Sequence, residues 1–221
     1  FATITAFSFG HEVYFYLYQA CLLRTILYNS VMIKDLFKIG IYSVDLNLDV
    51  KAIKDYCLDY RKNDIAQDNS RLSNRGGYHS SYLDGKHLPL NKLFQEMEEH
   101  SNVYNQSLGF SEKRKIDCIW ININGYKDYN IEHAHAGCKL SGVYYVDTPK
   151  DCGNILFYPP HLDVLESNWH YEEKNSLYNY SSFWMPAIAN RLYIFPNWLR
   201  HGTEPNLNKE EERMSLSFNV N

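Results

Sequence analysis

Apolar positions follow two rhythms along this chain, and the change falls near residue 113. Upstream, Val50, Ile53, Tyr56, Cys57 and Tyr60 recur at helical spacing, so residues 42–61 read as a short strand or turn followed by a helix. Leu90, Leu93, Phe94 and Met97 mark the apolar face of a second helix over Leu88–Leu108, with Glu96, Glu98 and Glu99 mostly outside that face. Between them, the segment Ser73–Ser80 reads as a loop, because Gly76-Gly77 breaks either rhythm. Downstream, short β-branched and aromatic runs take over at Ile116–Asn124, Lys139–Asp147, Gly153–Tyr158, Arg191–Phe195 and Arg213–Val220. Clusters of Gly, Pro and Asn separate them, which is the punctuation of an all-β barrel or sandwich. Two helices ahead of such a half predict a mainly β jelly roll with the helices packed on its outer sheet.

Residues 1–31 differ from the rest: apolar and aromatic, but interrupted by Glu12, Gln19 and Arg24. No run of 18 apolar residues occurs there, and the start Phe-Ala-Thr-Ile lacks the basic opening of a signal peptide. An ordinary amphipathic stretch opens at Met32. The expectation is an extension over 1–31, outside the native or ordered chain, and a single domain over 32–221 with a helical part (32–112) and a β core (113–221). Within that core, residues 161–186 make a long connection of the kind that often forms a lid. Its Trp169, Tyr171, Tyr178, Tyr180, Phe183 and Trp184 would either wall a substrate site or pack on the outer sheet.

Composition narrows the class. A chain of 221 residues with 45% hydrophobic content can bury a real core. A net charge of −4 gives no reason to expect phosphate-backbone binding, so nucleic acid is disfavoured as a partner, and nothing suggests a membrane. The five cysteines are odd in number and form no CxxC, which argues against a disulfide framework or a zinc knuckle and for reduced thiols in the cytoplasm.

The candidate chemistry lies in His133-Ala134-His135, His201 and Arg213. Two imidazoles at i and i+2 point the same way on an extended strand, and a distant third closes one face of a metal ion. Imidazole suits iron, zinc, copper and nickel alike, and three histidines with open positions also describe catalytic zinc. In the strand that follows, Arg213, Ser215, Ser217 and Asn219 share one face. An arginine pointing into a barrel needs an anion, and its fork matches a carboxylate, with Ser215 as a further donor. Ser141, Val143 and Tyr145 likewise share a face of their own strand.

The strings Trp120-Ile-Asn122, Leu140-Ser-Gly-Val-Tyr-Tyr-Val146, Cys152-Gly-Asn-Ile-Leu-Phe157, Phe195-Pro-Asn-Trp-Leu-Arg-His201 and Glu212-Arg-Met-Ser-Leu-Ser-Phe-Asn219, with Asn74-Arg-Gly-Gly-Tyr-His-Ser80, resemble a family of 2-oxoglutarate-Fe(II) oxygenases found in marine bacteria and their phages. It sits in the prolyl-hydroxylase-like superfamily, and the resemblance spans residues 35–220 or so. It implies a double-stranded β-helix, Fe(II) as cofactor and 2-oxoglutarate as co-substrate. His133 and His201 would be metal ligands, Arg213 and Ser215 would bind the distal carboxylate, and Tyr145 would line that pocket. His135 stands where the superfamily usually has Asp or Glu, so either it ligates or water takes its place. The expected function is an Fe(II)- and 2-oxoglutarate-dependent oxygenase, a hydroxylase of an unidentified small molecule or protein side chain. The alternatives are a cupin-like metal dioxygenase that does not use 2-oxoglutarate and a non-catalytic β-barrel binding protein.

Overall fold

A computed structural model describes residues 34–64, 73–83, 90–164, 178 and 180–221. The expected extension over 1–31 lies outside the described residues, as do Trp169 and Tyr171. The chain divides into two units, 1–39 and 40–221. Of the first, residues 34–39 are exposed and form neither helix nor strand.

The second unit begins with β1 (Tyr42–Asp45) and α1 (Val50–Asn63), whose first turn is capped by Asp49 accepting from the Ala52 N–H at 3.1 Å. Next come β2 (Asn74–Arg75), β3 (Tyr78–His79) and α2 (Asn91–Ser107). The β half follows as β4 (Ile116–Asn124), β5 (Tyr129–Asn130), β6 (Leu140–Asp147), β7 (Ile155–Phe157), β8 (Phe183–Met185), β9 (Arg191–Pro196), β10 (His201–Thr203) and β11 (Arg213–Val220). The segment around Gly76-Gly77, expected as a loop, therefore carries two short strands. They join different sheets: β2 pairs with β5, whereas β3 pairs with β4. Gly77 permits this crossing, because a Cβ there would stand 2.6 Å from the Ile123 carbonyl oxygen.

The major sheet runs β1-β9-β6-β11-β4-β3, and a smaller one runs β10-β7-β8. All pairings in both are antiparallel. This is the two-sheet roll that the alternating runs predict. In β11, Met214, Leu216, Phe218 and Val220 face outward into a core with Ile119, Ile121 and Ile123 of β4, Leu140, Tyr144 and Val146 of β6, and Leu192 and Ile194 of β9. The helices close this core with Ile53 and Cys57 from α1 and Leu93, Met97 and Tyr104 from α2, so they do pack on the outer face of the major sheet. A second cluster fills the space inside the roll: Val143, Tyr145, Tyr193 and Phe195 of the major sheet meet Ile155 and Phe157 of β7 and Leu199. Gly142 in β6 is required by closeness rather than by turn geometry. A Cβ there would lie 2.4 Å from the Phe218 ring and 2.8 Å from the Tyr193 carbonyl oxygen.

Phe183 and Trp184, expected either to wall a substrate site or to pack on the outer sheet, lie exposed on β8 at the edge of the small sheet. Cys57, Cys118, Cys138 and Cys152 are free thiols. Among the described residues no helix is long and apolar enough to cross a membrane.

Leu216 is fully buried on the outer face of β11. Leu216→Ala should lower unfolding stability by about 2–5 kcal/mol through lost burial and a residual cavity. Urea denaturation checks this, with no change at Leu216→Ala arguing against the described core.

Candidate metal centre

His133 and His201 meet across a single antiparallel bridge, each N–H donating to the other's carbonyl oxygen at 2.9 Å. The His-Ala-His segment is thus extended, as expected, but it belongs to no named strand. It is stray chain beyond β5, pinned by that bridge and by the His135 N–H donating to the Asn197 carbonyl at 2.9 Å. Pinning brings the three rings together: His133 and His201 centroids lie 4.3 Å apart, His133 and His135 5.0 Å, and His135 and His201 5.1 Å. The potential ligand nitrogens all lie within 4.8 Å of one another, and the cluster contains no carboxylate.

Which nitrogens are free follows from the hydrogen bonds. His133 Nδ1 faces the Ile131 carbonyl at 2.8 Å, His201 Nδ1 the Leu199 carbonyl at 2.8 Å, and His135 Nδ1 the Asn219 Oδ1 at 2.6 Å. A carbonyl oxygen only accepts, so His133 and His201 carry their proton on Nδ1 and leave the Nε2 lone pair free. Orientation of a ligating imidazole through its other nitrogen is how metal-binding histidines are held. Burial pushes all three toward the neutral form that a metal requires. His133 falls from 6.5 to about 4, His135 is lowered, and His201 is held well below its ordinary value by burial first and by His133 second. The donor set therefore fits a divalent transition ion with positions left open.

The cavity running inward from the histidines is bounded by Asn122, Asn124, Tyr145, Thr203, Arg213 and Ser215. Arg213 is 1% exposed. Its Nη1 donates to the Cys152 and Glu204 carbonyls at 2.6 and 3.0 Å, and its Nη2 to Thr203 Oγ1 at 2.9 Å and to Asn124 Oδ1 at a long 3.4 Å. Every hydrogen-bond partner is neutral, so among the described residues no carboxylate pairs directly with this buried positive charge, although Glu204 and Asp128 act on it from farther off. Burial is the main influence that lowers the Arg213 pKa. Tyr145 is fully buried in the same cavity, and among the described residues neither its hydroxyl nor Asn122 Oδ1 has a hydrogen-bond partner. Orphaned polar atoms of this kind call for a ligand.

All the residues singled out from sequence line this cavity: His133, His135, His201, Arg213, Ser215 and Tyr145. Thr203 and the Cys152 and Glu204 carbonyls escaped sequence reasoning, the carbonyls because backbone acceptors leave no side-chain signature. His79 is half-buried and stacks on Trp120 at 5.8 Å, and Trp120 in turn lies 5.8 Å from His135. His161 is exposed, and His170 lies outside the described residues.

Residues 118–219 match the family described as "Putative 2OG-Fe(II) oxygenase". Over those residues the β half matches a 2OG-Fe(II) oxygenase domain. The oxygenase's cofactor and co-substrate are accordingly Fe(II) and 2-oxoglutarate. Among solved structures it is similar in fold to a Pseudomonas putida prolyl-4-hydroxylase (15% identity, 85% of this chain and 96% of that one, TM-score 0.55). It is also similar to a Trichoplax adhaerens prolyl hydroxylase in complex with a hypoxia-inducible-factor peptide (15%, 93% and 92%, 0.56). A third is the viral collagen prolyl hydroxylase of Paramecium bursaria Chlorella virus-1, solved as a 2OG complex (12%, 81% and 94%, 0.55). The shared architecture is the double-stranded β-helix. No curated protein matches the oxygenase in sequence.

The depressed histidines give the metal-free oxygenase a defined pH response. Unfolded imidazoles titrate near 6.5 and folded His133 near 4. Between those values the unfolded chain binds more protons, so this stability is complete above the unfolded value and is lost as pH falls toward 4. Urea titrations of metal-free protein at pH 7.5, 6 and 5 should show the decline, and His201→Gln should flatten it. An equal slope in the variant contradicts the neutral-imidazole assignment.

Proposed function

We propose that the oxygenase hydroxylates a C–H bond of a small molecule or a protein side chain. In this reading His133, His135 and His201 hold Fe(II), and Arg213, Ser215 and Tyr145 hold 2-oxoglutarate. The observation that carries the reading is the cavity with an unpaired guanidinium at one end and three converging imidazoles at the other. A dianion with a carboxylate at each end is the ligand that such a cavity demands.

The work of the protein divides along the cavity. The three imidazoles present lone pairs in the neutral state and reach the metal from one side, which leaves the remaining positions for co-substrate and O2. When bound, Fe(II) and 2-oxoglutarate supply the oxidising chemistry: O2 is reduced, 2-oxoglutarate is decarboxylated to succinate, and one oxygen atom enters the substrate. Among the described residues the Arg213 Nε–H has no hydrogen-bond partner, and its Nη2–H to Asn124 is long, so these are the donors that would receive the distal carboxylate. The Tyr145 hydroxyl, otherwise orphaned, donates to the same carboxylate, and Ser215 lies beside it across the β11–β6 register. Val143, Ile155 and Phe195 line the same cavity and keep water out, which strengthens each of these interactions. Trp120, flanked by His79 and Tyr82, stands next to His135 and forms an aromatic side to the approach.

Prolyl hydroxylation is named for several proteins of the same fold, which supports hydroxylation as the reaction type. A cupin-like dioxygenase without 2-oxoglutarate would leave Arg213 buried with no anion to answer it, and so would a non-catalytic barrel.

Anaerobic addition of Fe(II) and 2-oxoglutarate should produce the visible metal-to-ligand charge-transfer band of the chelate. Folded, iron-loaded protein without that band rules the reading out. Arg213→Ala should weaken 2-oxoglutarate binding by about 2–5 kcal/mol, the cost of truncating one partner of a buried charged pair, while metal binding persists. Isothermal titration with 2-oxoglutarate in the presence of Mn(II) measures the difference.

A further inference from the structure

His135 differs from the other two histidines in what holds it. His133 and His201 are fixed by backbone carbonyls within their own turns, two residues away in each case. His135 is fixed by a side chain from another strand, Asn219 near the end of β11. A carbonyl can only accept, whereas a carboxamide offers an acceptor on one side and a donor on the other. The protonation of His135 therefore depends on which way the amide faces. With Oδ1 toward the ring, Nδ1 carries the proton and Nε2 has a lone pair for the metal. With Nδ2 toward the ring, Nδ1 becomes the acceptor and Nε2 carries the proton, so the ring cannot ligate.

Asn219 takes the first orientation, with Ser141 and Cys118 on its two sides. The Ser141 hydroxyl donates to Asn219 Oδ1 at 2.9 Å, so this oxygen accepts from both Ser141 and His135. Ser141 Oγ also lies 3.1 Å from His135 Nδ1, and the Cys138 Sγ lies 3.7 Å from Ser141 Oγ. On its other side the Asn219 amide donates from Nδ2 to Cys118 Sγ at 3.5 Å. Strand register builds the arrangement: Cys118, Asn219 and Ser141 are direct neighbours across β4, β11 and β6. All members are neutral, so this group replaces the usual carboxylate ligand by an oriented imidazole and adds no negative charge.

We infer that Asn219, held by Ser141 and Cys118, is the positioning residue that makes His135 the third metal ligand. The inference rests on the three-histidine reading above. It extends that reading by giving a cause: without Asn219, His135 is free to turn or to change tautomer, and the site reverts to two histidines plus water.

The probe is Co(II), added to the metal-free protein, and the readout is paramagnetic proton NMR alongside the Co(II) dissociation constant. Each imidazole bound through Nε2 contributes one sharp, exchangeable Nδ1–H signal and one pair of broad, non-exchangeable ring C–H signals from the two carbons beside Nε2, all strongly shifted. The wild type should show three of each. Asn219→Leu should leave two pairs of ring C–H signals and weaken Co(II) binding about 10- to 100-fold, the range seen when a partner behind a ligand is removed. Asn219→Asp keeps an acceptor oxygen of the same shape, so it should restore three pairs and bind at least as tightly as wild type. That rescue separates positioning from a general loss of folding. Ser141→Ala, which frees the amide to rotate, should fall between. Three pairs of ring C–H signals and unchanged affinity in Asn219→Leu overturn the inference. So do two pairs in the wild type, in which case the metal and 2-oxoglutarate reading still stands. Failure of the wild type to bind Co(II) at all overturns both.

Discussion

Everything in this molecule hangs on the two faces of β11. It is paired on both sides, with β4 and with β6, and lies at the centre of the major sheet. One face carries Met214, Leu216, Phe218 and Val220 into the apolar core under the helices. The other carries Arg213, Ser215, Ser217 and Asn219 into the roll. Because side chains alternate with a period of two, a slip of one residue would drive the arginine into the core and the core residues into the cavity. The burial that stabilises the fold is therefore also what sets the register of the site.

The electrostatics of the cavity follow from that placement. Arg213 is buried among carbonyls and hydroxyls that satisfy several of its N–H groups without balancing its charge. The three imidazoles are pushed toward neutrality by the same desolvation. A divalent ion would add positive charge at one end to the positive charge already present at the other. In the proposed reading, an anion able to reach both ends relieves this arrangement. The cluster of three histidines brings no negative charge of its own. Orphaned polar atoms on Tyr145 and Asn122 lie in the same cavity.

Much of this was legible beforehand because it depends on periodicity. Ile53 and Cys57, or Leu93 and Met97, reveal a buried helix face by spacing alone, and both pairs are buried. The shared faces of Arg213, Ser215, Ser217 and Asn219 and of Ser141, Val143 and Tyr145 are properties of any strand, and they hold. Other features were illegible because they depend on residues far apart in sequence. The Gly76-Gly77 segment looks like a loop until the neighbouring strands give its flanks partners. The His-Ala-His segment looks like strand, yet it is extended only because His201 and Asn197 hold it.

What the sequence by itself determined is the list of chemical groups and the face on which each lies: three imidazoles, a guanidinium, a tyrosine hydroxyl, and the alternation that points them inward. Local stereochemistry is enough for that, since side-chain direction along a strand repeats without reference to the rest of the chain. What only the tertiary structure decided is what those groups meet. The Arg213 carbonyl partners, the unanswered Tyr145 hydroxyl and the Asn219 amide behind His135 come from strands and turns brought together by folding. Hydrogen bonding and desolvation act over a few ångströms of space, whatever the distance along the chain. An arginine becomes an anion site, and a histidine a ligand, only once the fold has removed water and chosen their neighbours.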